Sequence, residues 1–244
     1  MKHYIVTRNF YSDDYPHKEQ RRQLMREYTI PSLRRQTVKN FTWVVAGRNG
    51  LTSEDTEGID TIWLDVDPPK NFDSTTYLMQ ELVSALAQSL DPTVKIITTR
   101  LDNDDVLLPD FVERVQSAAH DTDKGVFDVS GLRVDTRTRK IYRDTAYQKV
   151  PSPFLSVVEK KAGKRCRLMT AYYDQHSLMH RHLPLTKLKF LGWVQIIHES
   201  NKVMARSPAE VDIRGYSLDY DYKTFMASLQ QASHADTSPP SKQP

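Results

Sequence analysis

Cysteine is almost absent from this chain, which has only Cys166 among its 244 residues. A single thiol cannot form a disulfide within the chain, so nothing points to an oxidising compartment. Long apolar runs are also lacking, and the longest, such as Thr42 to Gly47 and Val94 to Thr98, are far too short to span a bilayer. The first residues lead directly into a strand-like stretch, without the apolar core of a signal peptide. We therefore expect a cytoplasmic protein.

A strong charge of one sign is missing as well. The formal net charge is +3 at pH 7, too small to make nucleic acid an expected partner. A weakly basic surface suits anionic small molecules such as sugar nucleotides, and it equally permits peripheral contact with anionic lipid. The N-terminal region has no glycine-rich, basic segment of the kind that cradles phosphates. That absence argues against a nucleotidyltransferase.

The first half of the sequence alternates between predicted strands and predicted helices. Strands are predicted where apolar, β-branched and aromatic residues cluster, at 4–7, 41–46, 59–66 and 94–99. Helices are predicted at 19–28, at a short turn opened by Pro31, at 75–90 behind an Asp73-Ser74 cap, and from Pro109 to about Ala119. This alternation implies right-handed crossovers, and we predict an α/β fold with a mostly parallel sheet flanked by helices.

The pattern changes after Gly125. Residues 126–134 and 140–147 flank a polar turn and predict an antiparallel hairpin. A loop is predicted for 151–167, a late strand or the start of a helix for 193–198, and a final helix for 220–231. Residues 232–244 are polar and contain proline, so we expect them to be disordered. The prediction is a single domain over residues 1–231 with an irregular C-terminal half.

An acidic turn follows the fourth predicted strand. Asp102, Asp104 and Asp105 come directly after Arg100, and ligands of open α/β sheets bind where strands end. Such carboxylates repel one another unless a cation or hydrogen bonds satisfy them. If the segment is extended, Asp102 and Asp104 face the same way and converge, as exposed loop carboxylates, on a Mg²⁺ or Mn²⁺ ion. The alternative is a polar turn that only caps the helix opened by Pro109.

Four stretches carry a resemblance to a known family. The segment Thr98-Thr99-Arg100-Leu101-Asp102-Asn103-Asp104-Asp105-Val106-Leu107-Leu108-Pro109-Asp110-Phe111 resembles the Asp-x-Asp segment of GT-A glycosyltransferases, and is most similar to a bacterial rhamnosyltransferase family. Three other stretches agree: Val6-Thr7-Arg8, Ile30-Pro31-Ser32-Leu33-Arg34-Arg35-Gln36-Thr37 with Asn40-Phe41-Thr42-Trp43, and Trp193-Val194-Gln195-Ile196-Ile197-His198-Glu199-Ser200-Asn201. The resemblance implies a GT-A-like, Rossmann-related fold. It also implies a nucleotide-sugar-binding half at 1–125 and an acceptor half at 126–231.

The resemblance also implies a metal site. Asp102 and Asp104 would bridge Mn²⁺ or Mg²⁺ to the diphosphate of a nucleotide-sugar donor, where the cation stabilises charge on the leaving group. The late His198 would return to the metal or to the diphosphate. The alternative for His198 is a buried structural role.

Residues expected to contact the donor lie at or near the strand ends: Arg8, Asn9, Asp65 (or Asp67), Arg100 and Asn201. Arg8 and Asn9 lie where GT-A folds contact the base or ribose, and Arg100 is beside the diphosphate. The alternatives are a surface position for Arg8 and an ion pair with Asp102 or Asp105 for Arg100.

An inverting transfer needs a general base for the acceptor hydroxyl. Asp174, between the acidic turn and the late histidine, is the candidate, and Glu199 is its rival. A basic run could hold an anionic acceptor or a membrane surface, or be a solvated loop; it comprises Lys160, Lys161, Lys164, Arg165 and Arg167.

Taken together, these features predict a metal-dependent glycosyltransferase. It would move a sugar, rhamnose if the family name is a guide, to a polysaccharide, a lipid-linked or another acceptor. One alternative is a nucleotidyltransferase on the same fold. The other is a non-catalytic nucleotide-sugar or carbohydrate-binding module, which would tolerate loss of the acids that this chain keeps.

Overall fold

The structure is a computed structural model that describes residues 1–9, 17–47, 50–64, 84–85, 94–160, 168–198, 215–218 and 221–230. The strands of these ranges join into one mixed sheet. In chain order they are β1 (Lys2–Arg8), β2 (Thr42–Ala46), β3 (Thr61–Leu64), β4 (Lys95–Arg100), β5 (Val106–Leu107), β6 (Lys124–Asp135), β7 (Lys140–Asp144), β8 (Ser156–Lys160), β9 (Leu185–Ile197) and β10 (Gly215–Leu218). Their order across the sheet is β10-β7-β6-β8-β4-β1-β2-β3; β9 pairs with β6, and β5 with β9.

The N-terminal strands form the parallel part of the sheet. β1 lies between β2 and β4, and β3 follows β2, all in parallel pairs. Apolar and β-branched side chains such as Ile5, Val45 and Ile97 are completely buried, as expected for strands covered on both faces. Parallel pairing brings the carboxyl ends of β1 and β4 to the same edge of the sheet. The predicted α/β class is confirmed.

The C-terminal half adds antiparallel strands. β8 lies between β4 and β6 and is antiparallel to both. The predicted hairpin is confirmed as β6 and β7, which pair from Asp135 opposite Lys140. The ambiguous segment at 193–198 is the end of strand β9, which begins much earlier, at Leu185, and runs parallel to β6.

Helices cover one face of the sheet. The described helices are α1 (Lys18–Leu24), α2 (Ile30–Arg34), α3 (Phe111–Ala119) and α4 (Tyr222–Gln230). A π-helical turn, Met25–Thr29, joins α1 to α2, so the two predicted helical pieces form one continuous segment. The wider turn precedes Pro31, which has no N–H to donate. The helices predicted near residues 109–119 and 220–231 are confirmed with slightly later starts.

The opposite face of the parallel strands is covered by an irregular segment, residues 168–183. Ala171, Tyr172 and Met179 of this segment pack in one core cluster with Tyr4 and Val6 of β1. The backbone N–H of Ala171 also donates to Thr98 Oγ1 of β4 (2.8 Å). This packing fixes Tyr172 beside the carboxyl ends of β1 and β4.

Several predictions fall outside the described residues: the helix at 75–90 with its Asp73-Ser74 cap, most of the basic run after Lys160, and the tail at 232–244. The division into two functional halves stays a prediction. Across the described ranges, the helices are too short or too polar to cross a bilayer.

Candidate active site

The candidate site lies where β1 and β4 end. The backbone N–H of Leu101 donates to Val6 O (3.0 Å), so the β4 ladder continues past Arg100 and carries the acidic turn alongside the end of β1. The N–H of Asn9 donates to Ala46 O (2.7 Å) and ties the same edge to β2. Asn9 is buried, and its Oδ1 accepts a hydrogen bond from Asn103 Nδ2 (3.3 Å). The sheet therefore brings Arg8, Asn9, Arg100 and the turn together, as predicted.

The first acid of the turn, Asp102, lies between two arginines. Arg8 Nη2 donates to Asp102 Oδ1 (3.2 Å), and Arg100 Nη2 lies 3.7 Å from the same oxygen. Burial opposes ionisation of this carboxyl, but the charges of Arg100 and Arg8 outweigh it and lower the pKa of Asp102 to about 2. With 27% of its side chain exposed, Asp102 is an ionised, solvent-accessible carboxylate.

Tyr172 supports both arginines. The guanidinium carbon of Arg100 lies 5.1 Å from the centroid of the Tyr172 ring, and that of Arg8 lies 5.7 Å from it, within the range of cation–π attraction. The Tyr172 hydroxyl donates to Val6 O (3.1 Å), and burial raises the pKa of Tyr172 to about 12. The ring is thus a fixed, neutral support beneath two positive charges.

Arg100 is the least satisfied charge at the site. Its side chain is 8% exposed, and it makes no hydrogen bond to any residue of the described ranges, with Nε buried and unpaired. The predicted alternative, an ion pair with Asp102, exists only as the 3.7 Å contact. A guanidinium in a desolvated place normally has an anion with which it forms hydrogen bonds. The arrangement therefore suits an anionic ligand that enters beside Arg8 and Asp102.

The second acid, Asp104, has different partners. Its Oδ2 accepts hydrogen bonds from Arg21 Nη1 of helix α1 (2.6 Å) and from His198 Nε2 at the end of β9 (2.8 Å). Arg21 also donates to Asn103 Oδ1 (3.2 Å). Asp104 and His198 are both buried. His198 thus contacts the acidic turn and is buried, as its structural alternative expects, while its predicted contact with a metal or a diphosphate stays a prediction. The prediction that Asp104 is an exposed loop carboxylate is wrong.

The third acid, Asp105, anchors the turn to β9. Its Oδ1 accepts the backbone N–H of Ile196 (2.8 Å). Burial, followed by the negative charges of Asp104 and Asp102, raises the pKa of Asp105 well above its usual range. Thr29 Oγ1 donates to the carbonyl of the same residue (2.9 Å). Asp105 thus joins the turn to β9 and to the π-helical turn.

The backbone of the turn corrects two further expectations. Residues 102–105 are not extended, because Asn103 and Asp104 form a turn closed by Asp105 N to Asp102 O (3.4 Å). Asp102 and Asp104 consequently have different partners and do not face one shared point as alternate residues of a strand would. The capping alternative is also wrong, since the carboxylates bind arginines, His198 and the N–H of Ile196 rather than the end of helix α3.

The remaining predicted residues lie elsewhere or outside the described ranges. Asp174 Oδ2 accepts a hydrogen bond from His182 Nε2 (2.7 Å), and its Oδ1 accepts the N–H of Gln175 (2.7 Å); both side chains of the Asp174–His182 pair are about one third exposed. Asp65, Glu199 and Asn201 are outside the described ranges. Arg21 and Tyr172 were not predicted as site residues. A charged helix and a tyrosine-rich run give no sign of their partners.

A divalent cation fits this site only in part. The described residues contain no group of three His, Cys, Asp or Glu side chains placed to hold a metal. Asp104 Oδ2 is taken by Arg21 and His198. Asp102 Oδ2, by contrast, makes no hydrogen bond to the described residues and belongs to an ionised, accessible carboxylate. Since Mg²⁺ is usually held by one or two carboxylates together with substrate phosphates, the residues fit a cation shared with a diphosphate.

The sequence as a whole assigns the family. A family model described as "Putative rhamnosyl transferase" matches residues 9–210, a range that includes Arg21, the acidic turn and His198. The chain belongs to this family. No curated protein matches it significantly.

Solved structures share the fold of this family member. Staphylococcus aureus TarS 1-349 in complex with UDP-GlcNAc has a TM-score of 0.50 at 12% identity, covering 85% of this chain and 61% of that one. The UDP complex has a TM-score of 0.47 at 10% identity, covering 82% and 61%. The chain spans only 37% of the longer TarS chain. A "Putative Glucose-1-Phosphate Thymidylyltransferase" from Bacillus anthracis in complex with a sucrose reaches 0.40 at 12% identity, over 91% and 99%, which is too low to bear on the reaction. The likeness to TarS confirms the predicted GT-A-like fold.

Proposed function

We propose that the protein transfers a sugar from a nucleoside diphosphate donor to a hydroxyl group of an acceptor. The observation that carries this proposal is the buried guanidinium of Arg100, which makes no hydrogen bond within the described ranges and lies beside Arg8 and Asp102. A diphosphate is the anion that a glycosyltransferase must bind and release. The family supports sugar transfer, and its name makes rhamnose the first donor sugar to test. The TarS complexes with UDP and UDP-GlcNAc support a nucleotide-sugar donor.

Arg8 and Arg100 would stabilise the leaving group. Negative charge develops on the diphosphate as the glycosidic bond breaks. Hydrogen-bond donors that are already in position stabilise that charge. Guanidinium groups can make paired hydrogen bonds to phosphate oxygens. Because Tyr172 holds both guanidinium groups from below, little rearrangement is needed for them to meet the phosphates.

Mn²⁺ or Mg²⁺ would be held by Asp102, whose Oδ2 makes no hydrogen bond to the described residues. The cation would supply positive charge against the same leaving group. Asp104 and His198 were predicted as metal ligands. Because they already form a hydrogen bond with each other, they would mainly hold the acidic turn in position. The acceptor would be a polysaccharide, a lipid-linked or another hydroxyl compound, and the place of action the cytoplasm. Peripheral contact with a membrane stays part of the proposal.

Asp174 is the proposed general base. Its carboxylate lies two residues beyond Tyr172, on the segment that lines the parallel strands, and its hydrogen bond to His182 (2.7 Å) fixes its orientation. Such a base would accept the proton of the acceptor hydroxyl in an inverting reaction. Glu199 remains the alternative proposal for the general base.

The proposal is tested by assaying hydrolysis of UDP-glucose, UDP-GlcNAc, GDP-mannose and dTDP-rhamnose with Mn²⁺, without acceptor. At least one donor should release its nucleoside diphosphate, EDTA should stop the release, and Asp102→Asn should slow it by about a hundredfold. The matched control is Asp121→Asn, an acid whose side chain is 96% exposed, which should behave like wild type. Activity that survives EDTA would refute the requirement for a divalent metal but not the transfer of a sugar. No release from any donor, with Mn²⁺ present, would count against the function itself.

A further inference from the structure

A cavity lies in the C-terminal half, between strand β6, the end of β7 and the start of β9. We call it the β6–β7 cavity. It has a volume of about 230 Å³. Its walls carry Asp128, Ser130, Asp144, Tyr147, Gln148 and Lys187. Drug-sized ligands use pockets of about 300–1,000 Å³, so this cavity suits a smaller group such as one sugar ring.

The cavity has a fixed floor. Asp128 Oδ1 accepts hydrogen bonds from the N–H (3.0 Å) and hydroxyl (2.6 Å) of Ser152, and Asp128 Oδ2 accepts one from Lys187 Nζ. Lys187 Nζ also donates to the carbonyls of Tyr147 (2.6 Å) and Val150 (2.8 Å). All three N–H bonds of the ammonium are therefore engaged. Lys187 neutralises Asp128 and holds the 147–150 loop in place.

A bulge shapes one wall. The register between β6 and β9 shifts on either side of Ser130, and Ser130 is exposed. The next residue must be glycine, because a Cβ on Gly131 would lie 2.0 Å from the ring of Trp193. Bulges of this kind are common beside active sites, where they redirect a side chain. Here the bulge directs Ser130 to the cavity.

One carboxylate of the wall, that of Asp144, is paired with an arginine. Asp144 Oδ1 lies 2.9 Å from Arg133 Nε, and only 4% of the Asp144 side chain is exposed. The pair lacks the alignment of a hydrogen bond, and both atoms are buried without a hydrogen-bond partner in the described ranges. Burial raises the pKa of Asp144, against the charge of Arg133 and the backbone N–H groups of Ala146 and Tyr147, which lower it. A hydroxyl group that enters the cavity would add a hydrogen-bond donor beside this carboxylate.

The cavity is near the site formed by Arg8, Arg100 and Asp102, which we call the arginine–acid site. The Tyr147 ring packs edge-on against His176, with 5.6 Å between centroids. Burial lowers the pKa of His176, and the charges of Arg100, Asp102 and Asp128 all act on it. His176 therefore lies within electrostatic reach of both the donor site and the cavity floor.

We propose that the β6–β7 cavity binds one neutral sugar ring of the acceptor; this inference rests on the proposed sugar transfer. Sugar hydroxyls both donate and accept hydrogen bonds, so they match Ser130, Gln148 and Asp144 together. The Tyr147 ring supplies an aromatic wall. An anionic ring would gain little here, because the ammonium of Lys187 is committed to Asp128 and the guanidinium of Arg133 is paired with Asp144. Specificity for uncharged acceptors follows from this balance.

A larger groove of about 520 Å³ offers the competing place for a ligand. It lies between helix α3 and the start of β9, with Arg114 stacked on Phe190 (5.1 Å) and Ser117 on its wall. The described residues provide no link from this groove to the arginine–acid site comparable to that made by His176. The groove therefore serves as a matched control.

The test uses the methyl glycosides of glucose, galactose, mannose and rhamnose as probes, with methyl glucuronide as the anionic comparator. Binding is measured by saturation-transfer NMR on wild type, Ser130→Trp, Gln148→Trp and the control Ser117→Trp. At least one neutral glycoside should bind wild type and Ser117→Trp equally, and about tenfold more weakly to both cavity-filling variants. Glucuronide should bind more weakly than the glucoside. Calorimetric affinity for UDP or dTDP with Mn²⁺ should be the same in all four proteins.

The outcomes separate the two proposals. Equal glycoside binding by the cavity-filling variants, loss of binding in Ser117→Trp, or no glycoside binding to wild type overturns the acceptor cavity. A nucleotide affinity that is absent in wild type overturns the proposed function, whatever the glycosides do. The two fillers come from different elements, β6 and the 147–150 loop, and retained nucleotide binding shows that each variant is folded.

Discussion

Nη1 of Arg21 lies 2.6 Å from Oδ2 of Asp104, although the two residues are 83 positions apart in the sequence. The two side chains are only 11% and 3% exposed. Helix α1 therefore supplies the positive charge that allows Asp104 to be buried at the edge of the sheet. His198 shares the same oxygen, so one carboxylate joins the N-terminal helix, the acidic turn and the last long strand.

This relationship makes Arg21 important for stability. Arg21→Met should lower the free energy of unfolding by about 3–5 kcal/mol, because it leaves Asp104 buried without its arginine. The matched control is Arg22→Met on the same helix, where the partner Glu19 is 71% exposed; it should cost less than about 1 kcal/mol. Urea denaturation of the three proteins measures both values. Equal effects of the two substitutions would show that Asp104 does not depend on Arg21.

His3 should make stability depend on pH. Its ring is buried in β1, with Nε2 2.7 Å from Thr99 Oγ1, and burial lowers its pKa from 6.5 to about 3. Between these values the unfolded chain binds a proton that the folded protein does not. The free energy of unfolding should therefore fall as the pH drops below about 6.5, by about 1.4 kcal/mol per pH unit from this group.

Replacing the ring tests that dependence. Between about pH 7 and about pH 5, wild type should lose about 2 kcal/mol more than His3→Leu. His120→Leu is the control, because the His120 side chain is 83% exposed, and it should follow wild type. Denaturation curves at several pH values provide the comparison. If wild type and His3→Leu lose the same free energy of unfolding, the pKa of His3 is the same in the folded and unfolded states, and the prediction is wrong.

Much of the fold could be predicted from the sequence because its signals are local. Buried parallel strands are continuous apolar runs, and the hairpin at 126–147 shows two strand-like runs around a polar turn. The end of β9 was ambiguous, since the short apolar run at 193–197 is equally typical of a helix. Pairing with β6 over ten positions decides the matter, and periodicity in one segment cannot reveal such a partner.

The sequence predicted which residues lie together at the candidate site, and their roles stay predictions, but it did not predict their contacts. Arg8, Arg100, Asp102 and His198 were chosen correctly as neighbours because strand ends and motif order carry that information. The burial of Asp104 was missed, since it depends on Arg21 from a distant helix. Tyr172 was missed for the same reason: its value to the site comes from the packing of residues 168–183 against β1, which no local pattern encodes.

The central claim is that Arg100 is held ready for a diphosphate, and calorimetric titration of UDP and dTDP with Mn²⁺ tests it most directly. Arg100→Met should weaken the affinity by about tenfold to a hundredfold, the loss expected for hydrogen bonds to a charged group. The control Arg137→Met, on the β6–β7 turn, should bind like wild type. Without nucleotide, Arg100→Met should change the melting temperature little, because the lost attraction to Asp102 and Tyr172 is offset by removal of a buried charge that makes no hydrogen bond to the described residues. Unchanged nucleotide affinity in Arg100→Met would contradict the account.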